Sequence, residues 1–532
     1  MHVDLIEGRQ AIAALREAWL AVYRADPEAN YFLSFDWLFG SPRGAGQGSF
    51  VLAARSAKDD AGYDAFLPIR LNTERDNGLF HNELNLCGNF TSDYTGFICR
   101  PEAEDEAIPA FAAMLGRLRW RRLRLLNFAA SDRRTRLFLQ RFSSEVVDLK
   151  HLSTRNPDGT ENGVCPYATL SADWDDFLAR KVSSNTRQKI RRFLRQVEGS
   201  DSFRFTHTTD ETFERDLDIL IRLWTERWAQ NKGQRLGAIQ KSLRRMLAHA
   251  QETGTLFMPM LWHEDRPLCT LGILVDEEKK AYNFYIGARD EAFKGPPTGL
   301  VLHSYAIRHA ISRGIGRYDF LRGNEPYKYT FCSDEGRIRS LLISTKSGGN
   351  LGGTLDRRCL HYVRRRAAEF HCGGDSAAAM SAYEQVLQAD PSDMSARYMQ
   401  GIVAARMGDT ASSCRAFAAC LERKPASLKT WVRLGRALVR EYRTWNEVSE
   451  AYAPLLRRVP DQRKLPSLVG RVLIRLGQVD FAVSVLQAAA RRLPDEAAVR
   501  SALAEATQVG SHDLPPPTRR STRAERQPQH LN

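Results

Sequence analysis

The sequence lacks any apolar run long enough to cross a membrane. Its longest apolar stretches, such as residues 271–275, have the length of a strand, whereas a membrane-spanning helix needs ~18 apolar residues. Residues 1–10 carry Asp4 and Glu7 and lack the basic start and the apolar stretch of a signal peptide. We therefore expect a cytoplasmic protein without a membrane span.

Paired cysteines are also missing. The nine cysteines are an odd number, are scattered along the chain and form no CxxC pair, so we expect reduced thiols that pack as small hydrophobic side chains. The pattern nearest to a metal site is Cys359 and His361 followed by His371 and Cys372. Zinc clusters space their ligands more tightly and repeat the pair, so the sequence predicts no metal.

The composition is that of a globular protein with several domains. Of 532 residues, 43% are hydrophobic and 26% charged, which excludes a chain that is disordered throughout. At about 100–200 residues per domain, three or four domains are expected. The net charge of +14 suits nucleic acid, but it equally suits any anionic ligand, including a phosphate-bearing cofactor. Because no zinc finger, RNA-binding aromatic motif or basic zipper accompanies it, the charge alone does not choose a partner.

The C-terminal third is periodic. Prolines close successive helical stretches at intervals of 34, 35 and 34 residues, at Pro391, Pro425, Pro460 and Pro494. Small residues fall early in the first helix of three units, at Gly401, Gly435 and Gly470. Small residues let the two helices of a unit touch, and proline cannot continue the second helix. This period resembles the tetratricopeptide repeat and predicts an α-solenoid that binds a protein partner.

Residues 256–345 contain strands, a helix and a further strand. The stretches 256–263, 268–276 and 281–288 are typical of strands, and the short charged turns between them predict antiparallel hairpins. An amphipathic helix follows from residue 300 to about 313, and then a strand at 317–321.

A fainter version of the same order occurs earlier. Strands are predicted at 49–55 and 65–71, followed by a loop at 88–96, a helix at 104–118 and a strand at 121–128. The chain from 1 to 345 is therefore predicted to hold two fused copies of one α+β unit.

The predicted organisation has five segments: a first unit at 1–165, a second unit at 166–345, a glycine-rich linker at 346–361, helical repeats at 362–509 and a disordered basic tail at 510–532. The fold class expected from this order is α+β, with two tandem mixed-sheet units followed by an all-α solenoid.

The loop at 294–299 is a candidate anion site because it enters a helix. The first turn of a helix leaves backbone N–H groups unpaired and carries partial positive charge. Small residues would let a pyrophosphate approach those groups, and Lys294 adds charge. A plain proline–glycine turn is the alternative. The loop is neither a Walker A motif nor a dinucleotide-binding fingerprint.

The stretch from Tyr285 to Lys328, with its Pro-x-Gly helix entry and the run YDFLRGNEPYK, resembles the CelD-type acetyltransferases. That family belongs to the GNAT superfamily and is related to the FemAB peptidyl transferases, whose chains carry two tandem GNAT-like units. Residues 178–198 resemble the Ser/Arg-rich helix of the same family. The resemblance covers residues 1–345, most clearly in the second half. The superfamily's Arg/Gln-x-x-Gly-x-Gly/Ala signature is replaced here by Pro297-Thr298-Gly299.

The resemblance implies transfer of an acyl group from acetyl-CoA or another acyl-CoA to an amine or a hydroxyl, without a metal. The pantetheine would lie between strands 281–288 and 317–321. The pyrophosphate would contact six residues of the helix entry: Lys294, Gly295, Pro297, Thr298, Gly299 and Leu300. The family is associated with cell-envelope and exopolysaccharide gene clusters.

Three residues are candidates for catalysis, since acyl transfer needs a deprotonated nucleophile and a protonated leaving thiolate. Asp319 is a base or orients the acceptor, unless it is a strand carboxylate paired with Arg317 or Arg322. Tyr327 is expected to protonate the thiolate, and Lys328 is expected to bind a phosphate or the acceptor. A surface aromatic and a solvated charge are the alternatives for the last two.

A further set of residues is expected to contact the acceptor or the phosphates, namely Asp93, Tyr94, Arg187, Arg191, Tyr285, Arg322 and Glu325. Core packing is the alternative for Tyr285, an Asx turn for Asp93, and a solvated helix face for the stripe of Arg187, Arg191 and Arg195.

Three functions remain open on the sequence. The first is an acyltransferase that docks to partners through its repeats. The second is a non-catalytic repeat scaffold on a GNAT fold that has lost its chemistry. The third is a FemAB-like aminoacyl transferase that uses charged tRNA, which the net charge of +14 would suit.

Overall fold

The computed structural model describes residues 1–40, 48–56, 62–88, 91–233, 236–332, 334–425, 427–441, 445–457 and 463–511. Residues 512–532 of the predicted tail, Pro460 and two residues of the 88–96 loop lie outside the described residues. The chain divides into two compact units. Unit 1 comprises Met1–Asp76 and His81–Cys359, and unit 2 comprises Asn77–Phe80 and Leu360–Asn532.

The strands are β1 (His2–Glu7), β2 (Ser49–Arg55), β3 (Ala65–Asp76), β4 (Leu79–Leu86), β5 (Ile98–Cys99), β6 (Arg122–Phe128), β7 (Val147–His151), β8 (Val164–Thr169), β9 (Phe203–His207), β10 (Leu256–Phe257), β11 (Pro259–His263), β12 (Arg266–Asp276), β13 (Ala281–Arg289), β14 (Arg317–Asp319), β15 (Asp334–Arg337) and β16 (Arg339–Thr345).

The α-helices are α1 (Arg9–Ala13), α2 (Arg16–Ala25), α3 (Glu104–Leu115), α4 (Asp132–Leu139), α5 (Trp174–Lys181), α6 (Ser184–Glu198), α7 (Phe213–Lys232), α8 (Leu236–Glu252), α9 (Thr298–Ser312), α10 (Leu360–Cys372), α11 (Ser376–Ala389), α12 (Met394–Met407), α13 (Thr410–Arg423), α14 (Leu428–Glu441), α15 (Trp445–Leu456), α16 (Leu465–Arg475), α17 (Val479–Arg492) and α18 (Ala497–Ser511).

Unit 1 contains two mixed sheets, and each includes one parallel pair of strands. The first sheet has the order β1-β2-β3-β4-β6-β16-β7, and the second has the order β15-β8-β14-β13-β12-β11-β9. In each, a parallel pair is joined through a helix: β4 to β6 through α3, and β13 to β14 through α9. The two mixed sheets followed by an all-helical region confirm the predicted fold class.

One strand crosses between the two predicted units. β16 follows the second sheet in the chain, yet it pairs with β6 and β7 of the first sheet. β8, which begins two residues before the expected boundary at 165/166, pairs with β14 and β15 of the second sheet. The domain boundaries read from the sequence stay a prediction, but the sheets themselves interlock through β16.

The central strand β12 is buried on both faces. We call the first sheet with its helices the first lobe, and the second sheet with its helices the second lobe. Leu271 and Ile273 pack against a cluster that includes the buried face of α9, and Leu274 packs into the core of the first lobe. This double burial explains why residues 268–275 are a nearly continuous apolar run instead of an alternating one.

Unit 2 consists of helices packed pairwise. Asp375, Asp393 and Asp409 each cap a helix by accepting the N–H of the residue three positions on. Two of these helices, α12 and α13, cross closely at a glycine, which has no side chain to separate them. An added Cβ at Gly401 would lie 2.9 Å from the Phe417 ring. The predicted solenoid pattern therefore has a steric basis at this crossing.

Within the described residues, no helix is long and apolar enough to cross a bilayer. The part of the chain that the structure describes also holds no group of three or more His, Cys, Asp or Glu residues placed to bind a metal ion.

Candidate active site

β13 and β14 form a short parallel pair inside the second sheet. The two strands pair in parallel only from Ala281 to Asn283, after which β13 continues to Arg289 while β14 ends. At the point of separation the β12–β13 ladder shifts by one residue, which leaves Tyr285 as the extra residue of a β-bulge. A bulge bends and twists its strand. The position of the pantetheine between these strands stays a prediction.

The helix entry lies at the end of the same strand. No side chain caps the N-terminus of α9, and the first N–H bonded within the helix is that of Val301, to the carbonyl of Pro297 at 3.1 Å. An added Cβ at Gly299 would meet nothing within 4 Å. Lys294 is exposed, and no ion-pair partner for it occurs among the described residues. The first turn therefore presents open backbone N–H groups beside a cation, as an anion site requires.

Gly295 differs from Gly299, because a side chain at position 295 would clash with a neighbouring ring. A Cβ there would lie 2.3 Å from the ring of Phe293, which packs against the core of the second lobe. The glycine thus lets Phe293 anchor the loop. Thr298 and Pro296 are buried, whereas Pro297 is exposed.

Charged side chains gather around Glu291, just after β13. Arg289 donates to both of its carboxylate oxygens at 3.0 and 2.9 Å, and Arg227 of α7 lies 3.6 Å away. The hydrogen bond from Arg289 lowers the pKa of Glu291 below its ordinary value. Sequence reasoning missed Arg289 and Arg227, because Arg227 reaches this place from a helix more than sixty residues upstream and no local pattern marks it.

Tyr327 and His303 lie close to each other. Their ring centroids are 6.2 Å apart, and Tyr327 is 47% exposed while His303 is buried and bonds the Tyr318 hydroxyl at 3.0 Å. Burial, with a smaller effect of the Lys328 charge, lowers the pKa of His303 to about 3. Desolvation and the charge of Glu325 raise the pKa of Tyr327. At neutral pH the site therefore offers a neutral imidazole and a protonated phenol. Sequence reasoning missed His303, which lies on the apolar face of α9.

Lys328 is neither solvated nor free. Its ammonium donates to the carbonyls of Arg322 at 2.6 Å and Gly323 at 2.9 Å, and it lies 2.9 Å from Glu325. The side chain is only 3% exposed. Lys328 thus closes the loop that carries Tyr327. Its predicted contact with a phosphate stays a prediction that this arrangement does not favour, and the same holds for the acceptor contact of Glu325.

Asp319 is buried and fully engaged. It accepts hydrogen bonds from the Tyr94 hydroxyl at 2.9 Å and the Leu321 N–H at 2.8 Å through one oxygen, and from Arg317 at 2.7 and 3.1 Å through the other. Of the two arginines considered from the sequence, Arg317 is the partner. This geometry favours the structural alternative for Asp319.

The first-lobe residues that were predicted to contact the acceptor form hydrogen bonds with residues of the second lobe. Arg322 donates to Asp93 at 2.9 Å, and the Tyr285 hydroxyl donates to the Thr91 carbonyl at 2.7 Å. Burial, followed by the charge of Asp319, raises the pKa of Tyr94 well above its ordinary value. The structure thus brings Asp93, Tyr94, Tyr285 and Arg322 to a junction between the lobes, where Arg322 bonds Asp93, Tyr94 bonds Asp319 and Tyr285 bonds the Thr91 carbonyl.

The arginine stripe of α6 is placed elsewhere. Arg187 donates to the carbonyls of Leu178 and Ala179 at the end of α5, and Arg191 pairs with Asp175 at 2.6 Å. These bonds fasten α6 to α5, so a phosphate contact by Arg187 or Arg191 remains a prediction.

Residues 184–329 match the family model described as "Acetyltransferase (GNAT) domain". The matched range includes β13, β14, the helix entry and Tyr327. No curated protein matches the chain.

Several solved structures align with parts of the chain. FemX aligns over 64% of this chain and 97% of its own, with 9% identity and a TM-score of 0.46. L-PGS from Bacillus licheniformis aligns over 53% of this chain and 81% of its own, with 11% identity and a TM-score of 0.31. A thermophilic TPR protein from Thermus thermophilus aligns over 28% of this chain and 81% of its own, with 24% identity and a TM-score of 0.19. At these scores the alignments carry no argument about function. The family match supports the coarser part of the resemblance, since residues 184–329 are similar to a GNAT acetyltransferase domain.

Proposed function

We propose that the protein is an acyltransferase that moves an acetyl or other acyl group from acyl-CoA to an amine or a hydroxyl. The observation that carries the proposal is the uncapped N-terminus of α9 in the loop after β13, next to the short parallel pair of β13 and β14 and inside the segment that matches the GNAT domain. The thioester arm would lie between these two strands, and its pyrophosphate would contact the open N–H groups.

The helix entry supplies donor binding. Thr298, Gly299 and Leu300 present N–H groups of the first turn, and Lys294 adds a positive charge beside them. Because Gly299 has open space around it, a bulky phosphate can approach the backbone closely. Gly295 and Pro297 shape the loop without offering a side-chain contact.

Tyr327 is the residue best suited to protonate the leaving thiolate. It is half exposed, its phenol stays protonated at neutral pH, and the buried Lys328 fixes the loop on which it sits. His303 is neutral and packs behind it. Asp319 and Lys328 are positioning residues in this scheme, since their polar atoms are occupied by other parts of the protein.

The biological setting is part of the same proposal. A sugar or peptide acceptor of envelope or exopolysaccharide synthesis, acylated in the cytoplasm where acyl-CoA is made, would fit the CelD-type resemblance. The helical repeats would dock a protein partner. Transfer of an aminoacyl group from tRNA is a second candidate, favoured by the net charge of +14.

Titration calorimetry of the full chain with acetyl-CoA, desulfo-CoA and tRNA tests the proposal. We expect saturable binding of both CoA compounds. Gly299→Glu should abolish it, because the added carboxylate occupies the anion position. The same carboxylate stabilises the helix N-terminus, so the variant should stay folded. Gly299→Ala is the matched control and should retain binding.

Two outcomes would refute the proposal. If the folded protein bound tRNA but no CoA compound, the aminoacyl transferase would replace it. If neither bound, the chain would be a scaffold on a GNAT fold.

A further inference from the structure

The edge strand β7 ends the first sheet with one side unpaired. It bonds β16 on one side, and no other strand of the described residues pairs with it. Four of its five residues are exposed, including Leu149 at 47%, and Val146 just before it is 49% exposed. Native proteins usually twist, shorten, charge or cover such an edge because it invites pairing. Here the edge is short and carries Asp148, Lys150 and His151, yet Val146 and Leu149 leave apolar surface exposed on it.

The backbone direction of the free edge follows from its bonded neighbour. Leu152 donates to the carbonyl of Ser340, and the carbonyl of Val146 accepts from Lys346, so even-numbered residues face β16. Antiparallel ladders alternate their hydrogen-bonding direction residue by residue. Val147, Leu149 and His151 therefore point their N–H and C=O groups away from β16, but the Val147 N–H already donates to the carbonyl of Ser143 at 3.0 Å.

The sequence of β7 is complementary to itself when run antiparallel. A two-fold axis at Leu149 places the two Leu149 side chains opposite each other and sets Asp148 against Lys150 of the other copy twice. The flanking positions then pair Val146 with Leu152, again apolar with apolar. Opposite charges and apolar pairs directly across two strands stabilise a ladder. No ion-pair partner for Lys150 occurs in the part of the chain that the structure describes, and Asp148 has only Lys346 at 3.8 Å.

The other edges of the two sheets lack this property. On β1, Asp4 already binds Arg55 and Tyr63 at 3.0 and 3.1 Å. On β15, Asp334 is engaged by Lys181 and Thr169. β9 carries Arg204 but no acidic residue to pair with it.

We propose that two copies of this chain associate through β7, so that their first sheets join into one continuous antiparallel sheet across a two-fold axis. Leu149 of one copy exchanges both backbone hydrogen bonds with Leu149 of the other, and the His151 N–H of each copy donates to the Val147 carbonyl of the other, as in an isologous interface. The edge alone buries less than the about 1,200 Å² of a standard interface, so the dimer is weak and dissociates on dilution.

Sedimentation velocity of the full chain over a concentration series tests this dimer. The wild type is expected to shift from monomer to dimer with a dissociation constant in the micromolar range. Lys150→Asp turns both attractive pairs into repulsive ones and should raise that constant at least about tenfold. The swapped variant Asp148→Lys/Lys150→Asp restores opposite charges and should return it to within about threefold of the wild type.

Leu149→Pro is a second, independent probe. Proline removes an N–H that points outward and leaves the bonds to β16 intact, so the sheet should persist while pairing is lost. Circular dichroism checks the fold of each variant. A wild type that stays monomeric at every concentration overturns the proposal. So does dimerisation that Lys150→Asp and Leu149→Pro leave unchanged, or a swapped variant that fails to regain it.

Discussion

Replacing Asp319 with asparagine should separate a structural carboxylate from a catalytic one. The carboxylate accepts from Tyr94, Leu321 and Arg317 at once, and it is 2% exposed. Asparagine keeps the shape, but it offers one oxygen and turns an N–H2 group toward one set of donors. Either Arg317 or the pair of Tyr94 and Leu321 then meets a donor instead of an acceptor.

The magnitude follows from burial. An orphaned buried donor costs about 1–3 kcal/mol. The lost charge pair with Arg317 adds about 1 kcal/mol or less, because that arginine is 40% exposed and water can solvate it. We expect Asp319→Asn to lower the free energy of unfolding by about 1–4 kcal/mol, measured by urea denaturation followed by tryptophan fluorescence, with acetyl-CoA affinity little changed.

A double-mutant cycle supplies the control for this prediction. Tyr94→Phe removes only the hydroxyl, and its effect should overlap with that of Asp319→Asn by about 1 kcal/mol because both break the same hydrogen bond. A folded Asp319→Asn protein within about 0.5 kcal/mol of the wild type that had lost acyl transfer would show that Asp319 acts as a base, and the structural reasoning would be wrong.

The remaining predictions concern His303 and the helical repeats. The folded-state pKa of His303, about 3, is below the 6.5 of the unfolded chain, so a proton binds mainly after unfolding and stability falls as pH drops from about 6.5 toward 3. Between pH 7 and pH 5 the wild type should lose about 2 kcal/mol more than His303→Gln in urea denaturation at each pH, and equal losses would contradict the assignment. Gly470→Val should destabilise the repeats by about 1–3 kcal/mol, because a Cβ there lies 2.5 Å from Leu486. The exposed Ala488→Val is the matched control, and equal thermal unfolding of the two variants would refute the packing argument.

Local pattern was enough to predict the elements but not their partners. β2 and the helix of residues 298–312 lie where the sequence predicted them, because alternation, turn residues and the Pro-x-Gly entry are local signals. The strand expected at 317–321 ends at Asp319. Two residues later, Leu321 adopts a positive φ of 58°, which is not compatible with a continuing strand. Long-range pairing, such as that of β16 with the first sheet, produces no periodic pattern in the sequence from which it could be predicted.

The candidate site shows the same division. The helix entry with Lys294 and Gly299 could be predicted because it is one contiguous loop. The state of Lys328 could not, since its burial depends on carbonyls that fold back from Arg322 and Gly323. Arg227 and His303 could not be predicted for the same reason, because their positions depend on tertiary packing and not on residues next to them in the sequence.

The position of β16 has a consequence for how the protein is made. This strand lies between β6 and β7 in the first sheet, yet it is synthesised after every strand of the second sheet. During synthesis, the first sheet therefore lacks the strand between β6 and β7 until residue 345 has left the ribosome. Non-local pairings of this kind form slowly and leave strand edges exposed meanwhile. The nascent first lobe is thus the part of the chain most in need of protection by chaperones, and a stalled or truncated product ending before β16 should be cleared by proteolysis.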